Sequence, residues 1–333
     1  MVRLFNIDRH WSDVRERVND LADTSLSSGI CQNGAITQEI EGRIAKRAGK
    51  KHCVTFASCS DALAQGLRNL KLPPRAEVLV PEYTFVATIN AIKLAGYTPV
   101  LCDVDDSYHI DLDAADALIT ANTKAIVYVT LWGQPARADI AEWCKTNNLI
   151  LVEDAAQSFG APTADSKFSV LSFSPTKPCT SFGSGGALVT DCIGVAEQAK
   201  RTRLHGNADF LGINSMISTT EASAIQINLG LLDEHLARRK QIAYEYFREL
   251  AGKFEFPRYL KGCTYSKFVI KSDERNLLKA RLEVNEIQTG VHYNGFMTQP
   301  NSVHLSTQSL TLPNCSYMTD QEVERVIKCL KEF

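Results

Sequence analysis

Asp154 ends the apolar run Leu149-Ile150-Leu151-Val152, within Val152-Glu153-Asp154-Ala155-Ala156-Gln157. A carboxylate at that place can pair with a protonated pyridine nitrogen. That pairing keeps a pyridoxal 5'-phosphate (PLP) ring cationic and a good electron sink. Taken alone, the same carboxylate can equally cap a following helix. Lys177 closes Ser172-Phe173-Ser174-Pro175-Thr176-Lys177, just after a strand-like run and ahead of Gly183-Ser184-Gly185-Gly186. A lysine that forms a Schiff base must sit on a restrained loop and be desolvated enough to lose its proton. Pro175 and Pro178 restrain this loop, and the hydroxyl of Ser172 or Ser174 can donate to a phosphate. Most loop lysines are simply exposed, so Lys177 by itself assigns nothing.

Ser58-Cys59-Ser60-Asp61-Ala62-Leu63 joins a strand pattern to a helix pattern. The first-turn N–H groups and the helix dipole suit a phosphate there. Plain N-capping by Ser58 or Ser60 is the commoner use, and Asp61 adds negative charge nearby. Phe85, in Pro81-Glu82-Tyr83-Thr84-Phe85-Val86-Ala87-Thr88, can stack on a flat ring or serve ordinary core packing. Gly183-Ser184-Gly185-Gly186-Ala187-Leu188 is no nucleotide motif: Leu188 stands where GxGxxG needs its third glycine, and no GK[ST] follows. It reads as a turn between strands whose small residues let backbone approach a ligand.

Elements that position these residues follow from the hydrophobic pattern. Strand-like runs at 52–56, 77–80, 99–102, 125–129 and 149–152 alternate with helical patterns at 62–70, 87–94 and 139–146. Near-continuous apolar strands separated by helices predict an α/β fold with a mainly parallel sheet sandwiched by helices. Such sheets place ligands at the carboxyl ends of their strands, where Asp154 lies. Further strands are expected at 170–173 and 187–190, and a long helix from about 221 to 249. The tail then changes character, with a strand at 266–270 and helices at 273–282 and 321–331. The expected division is a large domain over 1–230 and a smaller C-terminal α/β domain over 231–333.

Bulk properties bound the function. The chain has 333 residues, 44% hydrophobic and 22% charged, and 36 basic against 38 acidic residues give a formal net charge of −2. That balance gives no reason to expect nucleic acid or a charged membrane as partner. No apolar stretch approaches the roughly 20 residues that span a bilayer, and the N-terminus MVRLFNIDRHWSDV lacks a signal-peptide core. A cytoplasmic location is expected. The 10 cysteines and 7 histidines are dispersed, without CxxC, HxxxH or HExxH spacing, so buried thiols and no metal site are expected.

Each signal is weak alone, but their order resembles the DegT/DnrJ/EryC1/StrS family of sugar aminotransferases, which are fold-type-I PLP enzymes. The resemblance spans nearly the whole chain. Ser58 to Leu63 resembles the family's SGTxAL loop, Glu153 to Gln157 its EDAAQ, and Ser172 to Lys177 its SFxPTK. Ser28-Gly29, Asn33-Gly34 and Glu41 resemble its N-terminal segment. Leu131-Trp132-Gly133-Gln134-Pro135-Ala136, Arg203-Leu204-His205-Gly206, Gly212-Ile213-Asn214 and Thr289-Gly290-Val291-His292-Tyr293 also have counterparts.

The resemblance implies that Lys177 carries PLP and shuttles the proton. It implies that Asp154 holds the pyridine nitrogen and that Gln157 lies near the ring hydroxyl. Cys59, Ser60 and Ser172 approach the phosphate, and Phe85 stacks on the ring. Asn214 is expected to reach the phosphate in the neighbouring subunit of a homodimer. The implied reaction moves an amino group from glutamate to a nucleotide-linked keto-sugar. The alternatives are a keto-cyclitol aminotransferase and a non-catalytic PLP-binding regulator of the same fold. Four departures stand out. Cys59 replaces the glycine of SGT, and Ser184 replaces a common acidic residue. Residues 161–170 form a shorter segment than usual. The stretch Asn294-Gly295-Phe296-Met297-Thr298 departs from the family where it tends to meet the sugar. Family members that dehydrate their substrates carry histidine at the lysine position, so Lys177 argues against that chemistry.

Overall fold

The apolar runs become strands of five to seven residues. The computed structural model describes residues 1–208, 210–293, 295 and 297–333, Phe210 by its backbone alone. Asn294 and Phe296, in the stretch where the chain departs from the family, lie outside the described residues. Among the described residues seven strands form the central sheet: β1 (His52–Phe56), β2 (Glu77–Pro81), β3 (Thr98–Cys102), β4 (Thr123–Val129), β5 (Ile150–Asp154), β6 (Phe168–Ser172) and β7 (Gly186–Thr190). Their spatial order is β1-β7-β6-β5-β4-β2-β3. Pairings from β6 through β3 are parallel, whereas β7 runs antiparallel to both β1 and β6. The expected mainly parallel α/β sheet is therefore present.

Side chains alternate across the strands, so each face feeds its own core. Val170 and Leu188 join Val54, Phe56 and Phe168 under the helix Cys59–Asn69. Their neighbours Leu171 and Val189 turn to the opposite face, against Ile36, Ile40 and Ile44 of the helix Ala35–Arg47 and Ala222 and Ile225 of the helix Thr219–Leu250. That long helix starts with a capping box, Ser218 and Glu221 satisfying each other's backbone N–H groups. Its far end, Ile242 to Leu250, enters a second core with Phe268, Leu278, Leu310 and Val326. Here β8 (Leu204–Asn207) and β9 (Phe210–Asn214) form a hairpin between the sheet and the long helix, and β10 (Phe268–Lys271) pairs antiparallel with β11 (Ser309–Leu312). Val2 joins the second core through a bridge to Ile287, so the chain's start packs with its end.

The hydrophobic pattern predicts no element before residue 52, yet helices occupy Ile7–Leu26 and Ala35–Arg47. The first buries one narrow stripe, His10, Val14, Val18 and Ala22, within a highly charged segment. The stripe recurs every four residues, a helical period, with charged residues filling the rest of each turn.

An ion-paired knot ties these N-terminal elements to the sheet. Arg203 Nη1 donates to Glu41 Oε1 at 2.6 Å and to the Thr55 carbonyl at 2.9 Å, and its Nη2 donates to Asn33 Oδ1 at 3.0 Å. Glu41 Oε1 also accepts the Thr55 N–H at 2.9 Å. Both charged side chains are largely buried. Removing one partner strands the other charge away from water, which costs about 3 kcal/mol or more. Glu41→Ala should therefore lower unfolding stability by about 3 kcal/mol, read as a drop in the urea midpoint. A shift within error would show that Arg203 finds solvent or another partner.

Candidate active site

A cavity of about 390 Å³ opens at the carboxyl ends of β1, β2, β4, β5 and β6. Because β7 is antiparallel, its first residue, Gly186, lies at the same edge. A Cβ on Gly186 would lie 2.3 Å from the Cys59 backbone nitrogen, so a glycine is required where this loop meets the start of the helix Cys59–Asn69. The glycine cluster therefore does more than turn the chain: it lets one backbone close onto the other. Glu221 ties it down further, accepting the Ser184 N–H at 3.2 Å on the carboxylate that completes the capping box.

Asp154 and Lys177 share this cavity. Asp154 accepts from Thr88 Oγ1 at 2.7 Å and from the Ala156 N–H at 3.1 Å. Burial pushes its carboxyl up, while Thr88, Ala156 and the Lys177 ammonium pull it back. Burial pushes the Lys177 amine down, opposed by Cys59 and Asp154. The loop carrying Lys177 is supported from behind by the long helix. Asn228 Nδ2 donates to the Thr180 carbonyl at 2.9 Å, and His235 Nδ1 lies 3.3 Å from the Pro178 carbonyl. Asn228 Oδ1 in turn meets His10 Nε2 at 2.5 Å, which gives the buried N-terminal stripe a role under the site.

Ser58, Cys59, Ser60, Ser172 and Ser174 line one part of the wall. Ser58 is the helix cap, accepting the Asp61 N–H at 3.0 Å. The first-turn amides of a helix have no partner within it, so Cys59 and Ser60 bring donors to the cavity. The Asp61 carboxylate is bound by Ser215 Oγ at 2.7 Å and is not part of the wall. Burial holds the Cys59 thiol far above its ordinary value, hence neutral. Phe85 lines the cavity with 57% of its surface exposed, where a buried core aromatic would show almost none.

Gln157 is fully engaged. Its Oε1 accepts the Trp132 N–H at 3.1 Å and its Nε2 donates to the Tyr293 hydroxyl at 2.6 Å. The geometry thus brings Cys59, Ser60, Phe85, Asp154, Gln157, Ser172 and Lys177 to one cavity. Asn214 is not among them: it ends β9, exposed and paired with Leu204 across the hairpin.

Several wall residues escape the sequence reasoning. Thr88, Lys267, His292 and Tyr293 all line the cavity. Thr88 shares its helix with the polar residues Asn90 and Lys93, and of the three it alone is buried. Lys267 sits in a strand pattern, where a lysine reads as solvent-facing. Instead the Lys267 ammonium lies over the Trp132 ring, 5.6 Å from its centroid. Burial, with Lys177 and Arg239 nearby, pushes it down to about 7. Trp132 itself is fully buried and stacks on Tyr293 at 6.1 Å. No group of three His, Cys, Asp or Glu side chains arranged for a metal occurs among the described residues. No described helix is long and apolar enough to cross a membrane.

The sequence profile of the DegT/DnrJ/EryC1/StrS aminotransferase family matches residues 12–331. The chain is 29% identical over 309 residues to the UDP-2-acetamido-2-deoxy-3-oxo-D-glucuronate aminotransferase of Pseudomonas aeruginosa, covering 88% of this chain and 86% of that one. It is 30% identical to the dTDP-3-amino-3,6-dideoxy-alpha-D-galactopyranose transaminase of Aneurinibacillus thermoaerophilus, covering 98% and 96%. The solved structure of S. venezuelae DesV in complex with a ketimine intermediate superposes with a TM-score of 0.95 at 27% identity, covering 99% and 98%.

Glu153, the neighbour of Asp154 on β5, points away from the cavity. It accepts from Ser169 Oγ at 2.6 Å and the Ala164 N–H at 2.9 Å, yet its Oε1 has no partner among the described residues. Burial pushes it from an ordinary 4.5 to about 7. The native state then holds a proton that the unfolded chain releases above pH 4.5. This contribution to stability is complete below pH 4.5 and is lost as pH rises through about 7. Glu153→Gln should remove that slope, gaining roughly 3 kcal/mol on the wild type between pH 4.5 and 7. Urea unfolding across that range checks it, and parallel curves for the two proteins would refute the buried, protonated carboxyl.

Proposed function

Because this chain belongs to the DegT/DnrJ/EryC1/StrS aminotransferase family, we propose that it transfers an amino group from glutamate to a keto-sugar carried on a nucleotide, with PLP held in the cavity. The observation that carries this reading is the enclosure of Lys177 and Asp154 in one cavity whose wall includes the start of the helix Cys59–Asn69. The residues present fit the group. An amine whose hold on its proton burial weakens, a carboxylate with lone pairs to spare, helix-start amides and an exposed aromatic face suit, in turn, an aldehyde, a pyridine nitrogen, a phosphate and a flat ring.

When bound, PLP supplies the electron sink that makes the hydrogen on an amino-bearing carbon acidic. The protein supplies the rest. Lys177 Nζ would hold the cofactor and, once the substrate amine has displaced it, would be the base placed to move the proton of the substrate carbon. Burial lowers its hold on a proton, the direction a base at this place needs. Asp154, aimed by Thr88 and Ala156, holds a charge-assisted hydrogen bond to the ring nitrogen. Cys59, Ser60 and Ser172 take the phosphate, and Phe85 covers the ring. Gln157, clamped between Trp132 and Tyr293, fixes the wall on the ring-hydroxyl side.

Two relatives act on UDP- and dTDP-linked sugars by their names, which supports a nucleotide-linked acceptor here. The test is direct. Purified protein should be yellow, glutamate should change its absorbance, and borohydride should fix the cofactor on the peptide containing Lys177. An adduct on another lysine would overturn the assignment.

The proposed working unit is a homodimer with Asn214 reaching the partner's phosphate. The hairpin that ends at Asn214 supports this, because it exposes Leu204 and Leu211 at 46% and 68%. Exposed leucines on a protruding hairpin suit an isologous interface. Lys177→Ala and Asn214→Ala proteins, each inactive alone, should recover activity when mixed under subunit exchange. Each mixed dimer would then carry one intact site. Proven exchange without recovered activity would refute sharing.

A further inference from the structure

The cavity holds a second lysine that the proposed chemistry does not use. Four charge-bearing candidates line it: Asp154, Lys177, Lys267 and His292. Asp154 and Lys177 answer each other. Burial, with Lys267 and Lys177, pushes His292 down to about 3, so it is neutral. Lys267 has no such answer. Among the described residues it makes no ion pair and no hydrogen bond, and no anionic group is near enough to strengthen its hold on a proton. Its only described electrostatic attraction is the Trp132 face.

The backbone fixes Lys267 there. The Thr264 N–H donates to the Gly133 carbonyl at 2.7 Å, and a Cβ on Gly133 would lie 2.7 Å from the Ser266 nitrogen. Arg239 Nη1 donates to the Ser266 carbonyl at 3.0 Å. The segment before Lys267 is thus clamped onto the turn that carries Trp132, which fixes where the Lys267 side chain leaves the backbone. A half-buried amine without an anion is less favourable to keep charged than one in water, and a ligand that brings the anion offsets that cost.

We propose that Lys267 is the carboxylate-binding residue of this cavity, pairing its ammonium with a carboxylate of the reacting substrate. A carboxylate fits better than a phosphate. One ammonium on an indole face offers a single charge, whereas phosphates are held by several donors together, as at Ser58 to Ser60 and Ser172. Lys267 lines the same cavity as Lys177 and Asp154 and lies near enough to Lys177 to feel its charge, so it faces the reacting end of a substrate. Two sources bring a carboxylate there: an amino-acid donor, on the carbon that reacts, and an acceptor sugar of the uronate type. The inference rests on the aminotransferase reading of the site, but its test does not.

Calorimetric titrations use cofactor-loaded wild type, Lys267→Met and Lys267→Arg with two matched pairs of unreactive probes. Glutarate against its diamide reports the donor source, and UDP-glucuronate against UDP-glucose reports the sugar source. Wild type should prefer the carboxylate member of at least one pair. Lys267→Met should weaken that member about tenfold and leave the neutral one within about twofold, and Lys267→Arg should recover part of the loss. The pair that responds identifies the source. Absence of a wild-type preference in both pairs overturns the proposal, as does equal weakening of charged and neutral members, which a structural role would produce. The glutamate-driven absorbance change decides the aminotransferase reading separately, because the probes do not react.

Discussion

The site depends on burying a carboxylate and an amine in one place without letting either lose its charge outright. Desolvation works against both Asp154 and Lys177, and their mutual attraction works for both. In water such a pair is worth little, whereas in a cavity screened from solvent it sets the proton affinity of each partner. A carboxyl left without Lys177 and Thr88 would tend to protonate. An amine left without Asp154 would drop further toward permanent neutrality. The useful balance requires that neither can move away.

That requirement explains much of the surrounding structure. Thr88 and the Ala156 N–H hold the carboxylate from two sides. The long helix holds the Lys177 loop by two of its carbonyls, and the N-terminal helix backs the long helix through His10. The antiparallel β7 brings Gly186 against Cys59, closing the cavity at the helix start. The second core completes the wall, and it is moored to the strand ends by carboxylates. Glu82 accepts the Thr298 and Gln299 N–H groups, and Asp103 accepts those of Asn301 and Ser302. These four amides sit at or beside the start of the helix Pro300–Gln308, where negative charge is favourable. His292 and Tyr293 are held at the cavity by other bonds: the Tyr83 hydroxyl donates to the His292 carbonyl, and Gln157 Nε2 donates to the Tyr293 hydroxyl.

Much of this was legible in the residues. The runs at 52–56 and 77–80 lie within strands of the sheet and the run at 149–152 overlaps one, because short apolar runs between helices have few other ways to be buried. Asp154 and Lys177 could be singled out because catalytic groups cluster at strand ends in parallel sheets. The N-terminal helices were not assigned: the first buries one residue per turn amid charges, and the second is short, burying Ile36, Thr37, Ile40, Ile44 and Ala45. Nor was the β8–β9 hairpin, which has little apolar alternation of its own.

What the sequence determined by itself is local: the periodicity that makes strands and helices, the caps at Ser58 and Ser218, and the order of polar residues just after the strands. Those properties depend on neighbours within a few positions. What only the tertiary structure decided is which distant residues share a cavity and in what charge state. Lys267 is 90 positions from Lys177, and nothing near it in the chain marks it as buried. Its place over Trp132 follows from the close approach of Gly133 to Thr264 and Ser266. A proton affinity is likewise set by what surrounds a group in space, and sequence separation carries no information about that.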